Sequence, residues 1–355
     1  MAKTKKPENP ARNGSKKKKA TSQAIATTPN TAEAHSNARH AAPVLNYNEL
    51  LITKVLSGEG KKTDPILAEF LYSIYSLSPA MGELSYRYGI SIGRLLYRMG
   101  TKKQRHKILY RNEHMGDLLH FLEAAGLGKA TFHPTTHGTI IRMYRERKLN
   151  SGHKTHFFEA GLIAGFLGAA GTSIPYVKEL VCTSEGGEFC EYVCLPLSTR
   201  IPEEHTVSPQ ALREIGYGIA SVQALPPADS AVPAAYQAIL AEIGADKAYT
   251  DNINTLVSYA GSFCRAGLGL RGKEKLWDGI AATISLLNFG EPSIARKGRK
   301  LTITSTLDVI LSRREFARMA ASFIVALASG AKSTVREAKI TSTRGRYRIN
   351  LEITA

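Results

Sequence analysis

Along most of this chain the apolar residues recur three or four positions apart, and where that period gives way to alternation it does so in paired short runs. From Asn46 to Leu77 the helical spacing is carried by Leu50, Leu51 and Val55, then by Ile66, Leu67, Phe70, Leu71 and Ile74. Asp64 and Pro65 suit the cap and first turn of the second of these helices. Leu84 to Met99 predicts a helix with Leu84, Tyr88, Ile92, Leu95 and Leu96 on one face and Arg87, Arg94 and Arg98 around it. Met115 to Ala125 reads as a short amphipathic helix stopped by Gly126, and Lys129 to Tyr144 alternates like a hairpin around Thr136 to Gly138.

The next stretch, HFFEAGLIAGFLGAAGTSIPYVKELVCTSEGGEFCEYVCLP from His156 to Pro196, organises the rest. Phe157 to Gly171 is nearly all small or apolar, which predicts a helix buried on most sides and capped by Gly171. Tyr176 to Cys182 alternates, Ser184 to Gly187 can turn, and Glu188 to Leu195 alternates again, so a β-hairpin follows the helix. The fold class is α+β.

Beyond Pro196, PLSTRIPEEHTVSP carries three prolines and reads as a linker, with a new helix capped at Ser208 and Pro209. A boundary near 200–207 follows. Glu315 to Thr354 then replays the central stretch in kind and order. It has a small-residue apolar helix, a capping Gly330, a strand from Val335, a turn at Gly345 and an alternating Tyr347, Ile349 and Leu351. VREAKITSTRG lies over VKELVCTSEGG without a gap, and SYAGSFCRAGLGL from Ser258 echoes SYRYGISIGRLLY from Ser85. The expectation is two tandem copies of one helix-plus-antiparallel-hairpin unit over residues 44–200 and 208–355, paired within the chain as a pseudo-dimer or between chains as a homodimer.

Composition changes this picture at the N-terminus. Residues 1–43 are poor in aromatics and rich in Lys, Ala, Ser, Thr, Asn and Pro, which predicts a disordered tail. The tail holds nine basic residues against Glu8 and Glu33, a large part of a net charge of +17. Such a charge points to an anionic partner, RNA, DNA or a ribonucleoprotein. Lys16, Lys17, Lys18 and Lys19 are the candidate phosphate-binding arm, weighed against a purely solubilising tail. A second basic patch comprises Lys102, Lys103, Arg105, Lys107 and Arg111. Four cysteines in 355 residues are too few for a disulfide framework, no secretory leader is legible, and no apolar run reaches membrane-span length. A cytoplasmic protein without a membrane span is expected.

Candidate chemistry gathers at the hairpin thiols. Cys182 and Cys190 fall on facing strands, and where the first copy has them the second has Ile340 and Arg348, so the fold does not require them. Glu179 lies three residues before Cys182, and His156 opens the helix that must pack on that strand. Zinc takes about four thiolate, imidazole or carboxylate donors in a tetrahedron, so these four residues are candidate ligands, with Cys194 and His153 as rivals. His133 and His137, beside the first hairpin turn, read as solvated. No phosphate-binding GxxxxGK[ST], helix-turn-helix or catalytic constellation is present, which argues against an enzyme.

FFEAGLIAGFLGAAG followed by ELVCTSEGGEFCEYVC resembles the 4-vinyl-reductase-type small-molecule-binding domain, clearly over about residues 80–197 and faintly over 208–355. That domain occurs in sensor modules of aromatic-responsive bacterial transcription activators and in a bacteriochlorophyll biosynthesis protein. Its fold is similar to TRAPP subunits and related to haem-nitric-oxide-binding domains. The resemblance implies a structural zinc on His156, Glu179, Cys182 and Cys190, with histidine standing where the activators have cysteine. It also implies a pocket for a hydrophobic or aromatic ligand between the buried helix and the sheet, with Phe132, Tyr144, Phe157, Phe158, Phe166 and Tyr176 as candidate lining. A ligand-sensing or scaffold protein with a basic nucleic-acid-binding tail is the expected function, and a factor in tetrapyrrole metabolism is the alternative.

Overall fold

A computed structural model describes residues 46–103, 111–135, 138–171, 175–195, 208–226, 228–229, 231–270, 275–297, 300–330 and 333–354. The expected tail over 1–43 and the expected boundary at 200–207 lie outside the described residues. The fold is α+β, with ten α-helices and antiparallel sheets among the described residues.

The chain enters through α1 (Tyr47–Ser57), whose Asn46 side chain accepts from the Asn48 amide and whose end is closed by Gly58 in the left-handed region. A two-residue strand, β1 (Lys62–Thr63), leads into α2 (Ile66–Ser76), where the Asp64 carboxylate accepts from the Ile66 amide at 3.0 Å. All eleven residues of α2 are buried. It is the central helix of the molecule, and its polar members, Glu69, Tyr72, Ser73, Tyr75 and Ser76, therefore need partners inside the protein.

Next come α3 (Pro79–Lys103), α4 (Arg111–Ala124), β2 (Lys129–Thr135), β3 (Gly138–Tyr144), α5 (Phe157–Ala170), β4 (Tyr176–Val181), a 3₁₀ turn (Thr183–Glu185) and β5 (Cys190–Leu195). The four strands form a sheet in the order β2-β3-β5-β4. In its register Met143 faces Cys190 and Ile141 faces Tyr192, so Ala130, Ile141, Met143, Cys190, Tyr192 and Cys194 point to one buried side. Two GxxxG pairs, Gly89 with Gly93 on α3 and Gly161 with Gly165 on α5, bring those helices together. A Cβ at any of the four would collide with the backbone of the facing helix, so the close crossing needs residues without side chains.

The rest of the chain runs through α6 (Pro209–Val222), β6 (Val232–Pro233), α7 (Ala234–Ile243), α8 (Thr250–Gly269), α9 (Leu276–Leu286), β7 (Glu291–Lys297), β8 (Lys300–Thr306), α10 (Arg314–Ala328), β9 (Thr334–Thr343) and β10 (Arg346–Thr354). Ser208 caps α6 by accepting from Ala211, with Pro209 in the first turn. These strands form a second sheet in the order β7-β8-β10-β9, with Leu301, Ile303, Ile349, Leu351 and Ile353 on its buried side.

The described residues belong to one compact unit, and α2 and α7 join its earlier and later elements. β1 and β6 pair antiparallel, Lys62 with Pro233 and Thr63 with Val232. Phe70 of α2 packs edge-on against Phe289 and Phe323. Tyr236 of α7 packs against Phe121 and Phe158 and shares a hydroxyl–hydroxyl hydrogen bond with Tyr72. Among the described residues no helix is long and apolar enough to cross a membrane.

Candidate metal centre

His156 occupies the N-cap of α5 and is fully buried. Its backbone there is non-helical (φ −94°, ψ 45°), which turns the imidazole towards β4 and β5 instead of along the helix. From β4, Glu179 meets it: Oε1 lies 2.8 Å from Nδ1, and Oε2 accepts from the His156 amide at 3.4 Å. The Sγ atoms of Cys182 and Cys190 lie 3.4 and 3.5 Å from the same Nδ1. One donor atom from each of these four buried residues falls within 4.8 Å of the other three.

Local sequence explains how two strands deliver three donors to one point. In a regular strand Glu179 and Cys182, three residues apart, would face opposite sides. A bulge between Glu179 and Val181 inserts one residue, leaves Leu180 exposed, and restores Cys182 to the side Glu179 faces. The chain then turns through Thr183–Glu185, closed by Gly186 at φ 94°, and returns at Cys190. Thr183 bonds the Cys190 sulfur through its hydroxyl at 3.3 Å. The segment before α5 is tied to the same turn, since the amides of Ser151 and Gly152 both donate to the Ser184 carbonyl at 3.1 Å.

His153 is held elsewhere, with Nε2 2.9 Å from the Ser76 hydroxyl and Nδ1 2.8 Å from the Ser151 carbonyl. Cys194 lies on the buried side of β5, paired in register with Val177 and Thr139, outside the four-residue cluster. Burial pushes its thiol up to about 12.

Charged and aromatic side chains from α2, α5 and the sheet surround the cluster. Glu69 of α2 places Oε2 3.5 Å from His156 Nε2, and its Oε1 accepts from Arg145 Nη1 at 2.8 Å. Arg145 also donates to Glu159 Oε2, which takes a further hydrogen bond from the Tyr192 hydroxyl at 2.6 Å. The Tyr72 ring stands edge-on to His156 with centroids 5.0 Å apart. Sequence reasoning missed Glu69, Arg145 and Glu159. The available signal was a lone carboxylate in each of two otherwise uncharged, mostly apolar helices, ILAEFLYSIYS and FFEAGLIAGFLGAA.

The protonation pattern follows from this crowding. Burial and the Arg145 charge disfavour the imidazolium, yet Cys190, Glu179 and Cys182 outweigh them and raise the His156 pKa. Burial lifts the Glu179 carboxyl to about 7 against the lowering influence of His156. Burial also drives Cys182 far up. For Cys190 burial acts in the same sense, but a hydrogen bond from Cys182 and the charges of His156 and Arg145 bring its pKa well below that of an ordinary thiol. In the metal-free cluster these influences favour a proton on His156 and on Cys182 and the thiolate form of Cys190.

These residues fit a metal. Zinc with bonds of about 2.0 Å to nitrogen or oxygen and about 2.3 Å to sulfur sets tetrahedral donors roughly 3.3–3.8 Å apart; the two sulfurs already stand 3.4 and 3.5 Å from Nδ1, and the 2.8 Å Nδ1–Oε1 hydrogen bond would open by about half an ångström. An imidazole, a carboxylate and two thiols form a set that zinc accepts.

The candidate pocket residues are dispersed. Phe158 and Phe166 are fully buried, against Tyr88 and Tyr236 and against Tyr97. Phe132 is half-buried on β2. Tyr144 is exposed and stacks on Phe189. Phe157 and Tyr176, with Tyr86, Lys154 and Lys178, border a cavity of about 20 Å³ that reaches His156 and Glu179. That is room for roughly one water. Of the basic candidates, Lys16, Lys17, Lys18, Lys19, Arg105 and Lys107 lie outside the described residues. Lys102 and Lys103 close α3 and Arg111 opens α4, with side chains outside the described set. His133 is exposed beside Thr131, and His137 lies outside the described residues.

No protein-family model matches the chain, and no curated protein is significantly similar to it.

Proposed function

We propose that this chain is a non-enzymatic regulatory or scaffold protein of the 4-vinyl-reductase type, stabilised by a structural zinc ion and carrying a basic arm for RNA or DNA. The observation that carries the reading is the convergence of His156, Glu179, Cys182 and Cys190 in the interior. When bound, zinc would supply a cross-link between the start of α5 and the β4–β5 hairpin. Four protein ligands leave no open position for a reacting water, which is the pattern of structural sites.

Two tandem copies of one unit remain the proposed architecture, supported by the matching strand orders of the two sheets and by the pairing of β1 with β6. Copy-specific chemistry agrees with a single metal. Under the gapless alignment Glu337 stands for Glu179, but it pairs in register with Glu352 on the solvent side and forms an ion pair with Lys339. A cytoplasmic setting is proposed, where the four free cysteines stay reduced. The cavity beside His156 is small, so an aromatic ligand entering there would have to displace Phe157 or Tyr176.

Elemental analysis of the purified full-length chain tests the reading. About one zinc per chain is expected, and Cys182→Ser or Cys190→Ser should lose it. Wild-type protein that is fully folded, zinc-free and unable to take up added zinc would overturn it.

A further inference from the structure

The geometry points to Glu69 as a positioning residue of the metal centre: its Oε2, 3.5 Å from His156 Nε2, takes up the Nε2 proton when a metal is bound and so presents the Nδ1 lone pair to it. This inference rests on the zinc reading above and names a residue outside the ligand set.

Three observations carry it. First, His156 uses its two nitrogens differently. Nδ1 faces Glu179, Cys182 and Cys190, whereas the carboxylate facing Nε2 is Glu69, with Oε2 at 3.5 Å; the Thr155 hydroxyl lies 3.4 Å from both nitrogens and does not distinguish them. A neutral imidazole can ligate through one nitrogen only if the other holds the proton, and a carboxylate behind the far nitrogen fixes that choice.

Second, Glu69 is supported on one side and open on the other. Its Oε1 is bound by Arg145 at 2.8 Å, while Oε2 is buried without a hydrogen-bond partner among the described residues. Arg145 serves Glu159 as well, so one cation faces two carboxylates. Burying the surplus negative charge is costly unless something positive or polarised stands next to it. The imidazole, and the cation it would hold, is the group in that place.

Third, the same position on α7 carries no charge. Glu69 is the fourth residue after Pro65, and Gln237 is the fourth after Pro233, in segments whose leading strands β1 and β6 pair with each other. Gln237 satisfies itself with neutral partners, donating to Thr63 Oγ1 at 2.5 Å and accepting from Asn288 Nδ2 at 3.2 Å. A buried helix of this kind is therefore compatible with an amide at that site. The carboxylate occurs on the helix that faces the histidine–thiol cluster.

The test uses the full-length protein with zinc, and with cobalt as a spectroscopic probe. In zinc-loaded wild type, nitrogen-15 NMR of the His156 ring is expected to show a protonated Nε2 and a metal-bound Nδ1. By chelator competition, Glu69→Ala should bind zinc about 10–100-fold more weakly at unchanged stoichiometry and shift the cobalt ligand-field bands. Glu69→Gln, whose amide oxygen still accepts the Nε2 proton, should recover most of the affinity. A merely structural role would instead lower the melting temperature of metal-free and metal-loaded Glu69→Ala alike, with zinc affinity unchanged. That result, or a metal-bound Nε2 in wild type, overturns the role of Glu69 and leaves the zinc reading standing. Wild type that takes up no zinc overturns both. If Glu69→Ala does not fold, the wild-type ring assignment and the Glu69→Gln affinity decide.

Discussion

His156 Nδ1 and Glu179 Oε1 lie 2.8 Å apart although 23 positions separate the residues in the chain. One caps a helix and the other sits on a strand edge, so their meeting fixes how α5 sits on the β4–β5 hairpin. Cys182 and Cys190 complete the same contact from the hairpin side.

Zinc uptake should release protons. Without metal the raised His156 pKa keeps the ring protonated near neutrality, and the raised Cys182 pKa keeps that thiol protonated. Both protons must leave before Nδ1 and Sγ can ligate, while the lowered Cys190 pKa favours its thiolate. The sign is that acid favours the metal-free form. At least two protons per zinc are expected, with a further share from the Glu179 carboxyl below about 7, so affinity should rise by about two powers of ten or more per pH unit below the His156 pKa. Calorimetry in buffers of different ionisation enthalpy measures the number, and pH-independent binding would contradict it.

The α3–α5 crossing gives a separate expectation. Adding one methyl at Gly89 or Gly161 presses Cβ into the facing backbone, which cannot rotate away. Gly89→Ala and Gly161→Ala should each cost about 2–3 kcal/mol or more. Gly116 on α4 has nothing within contact range, so Gly116→Ala should stabilise by about 0.5–1 kcal/mol through helix propensity. Chemical denaturation of the three variants checks both signs.

Much of this arrangement was legible in the sequence, and the parts that were not have physical reasons. Period and capping residues located α2, α5 and α6 and both terminal strands, because a buried helix and a half-buried strand each leave a local pattern. The four candidate ligands were named from residue type and spacing. What spacing could not supply was the bulge at Leu180: alternation alone puts Glu179 and Cys182 on opposite sides of β4. Nor could it supply Glu69 and Arg145, which are 76 positions apart and meet only because α2 runs through the centre. Tyr144 was a plausible pocket residue by type, yet its neighbour Met143 takes the buried side and turns it outward.

The Tyr72–Tyr236 bond joins the two central helices, α2 and α7, within the core. Removing one hydroxyl strands the other in a site where both residues are fully buried, whereas removing both leaves an apolar contact. Tyr236→Phe or Tyr72→Phe alone should cost about 1–3 kcal/mol, and the double variant close to neither-bond stability, with a smaller loss than the two singles added together. A double-mutant cycle by denaturant unfolding reads the coupling directly, and strict additivity would contradict it.

The central claim concerns which atoms hold the metal, and X-ray absorption at the zinc edge on the zinc-loaded full-length chain reads them. The expected first shell is about two sulfurs near 2.3 Å and two nitrogen or oxygen atoms near 2.0–2.1 Å, supplied by Cys182, Cys190, His156 and Glu179. A shell without sulfur, or one unchanged in Cys190→Ser, would contradict the account.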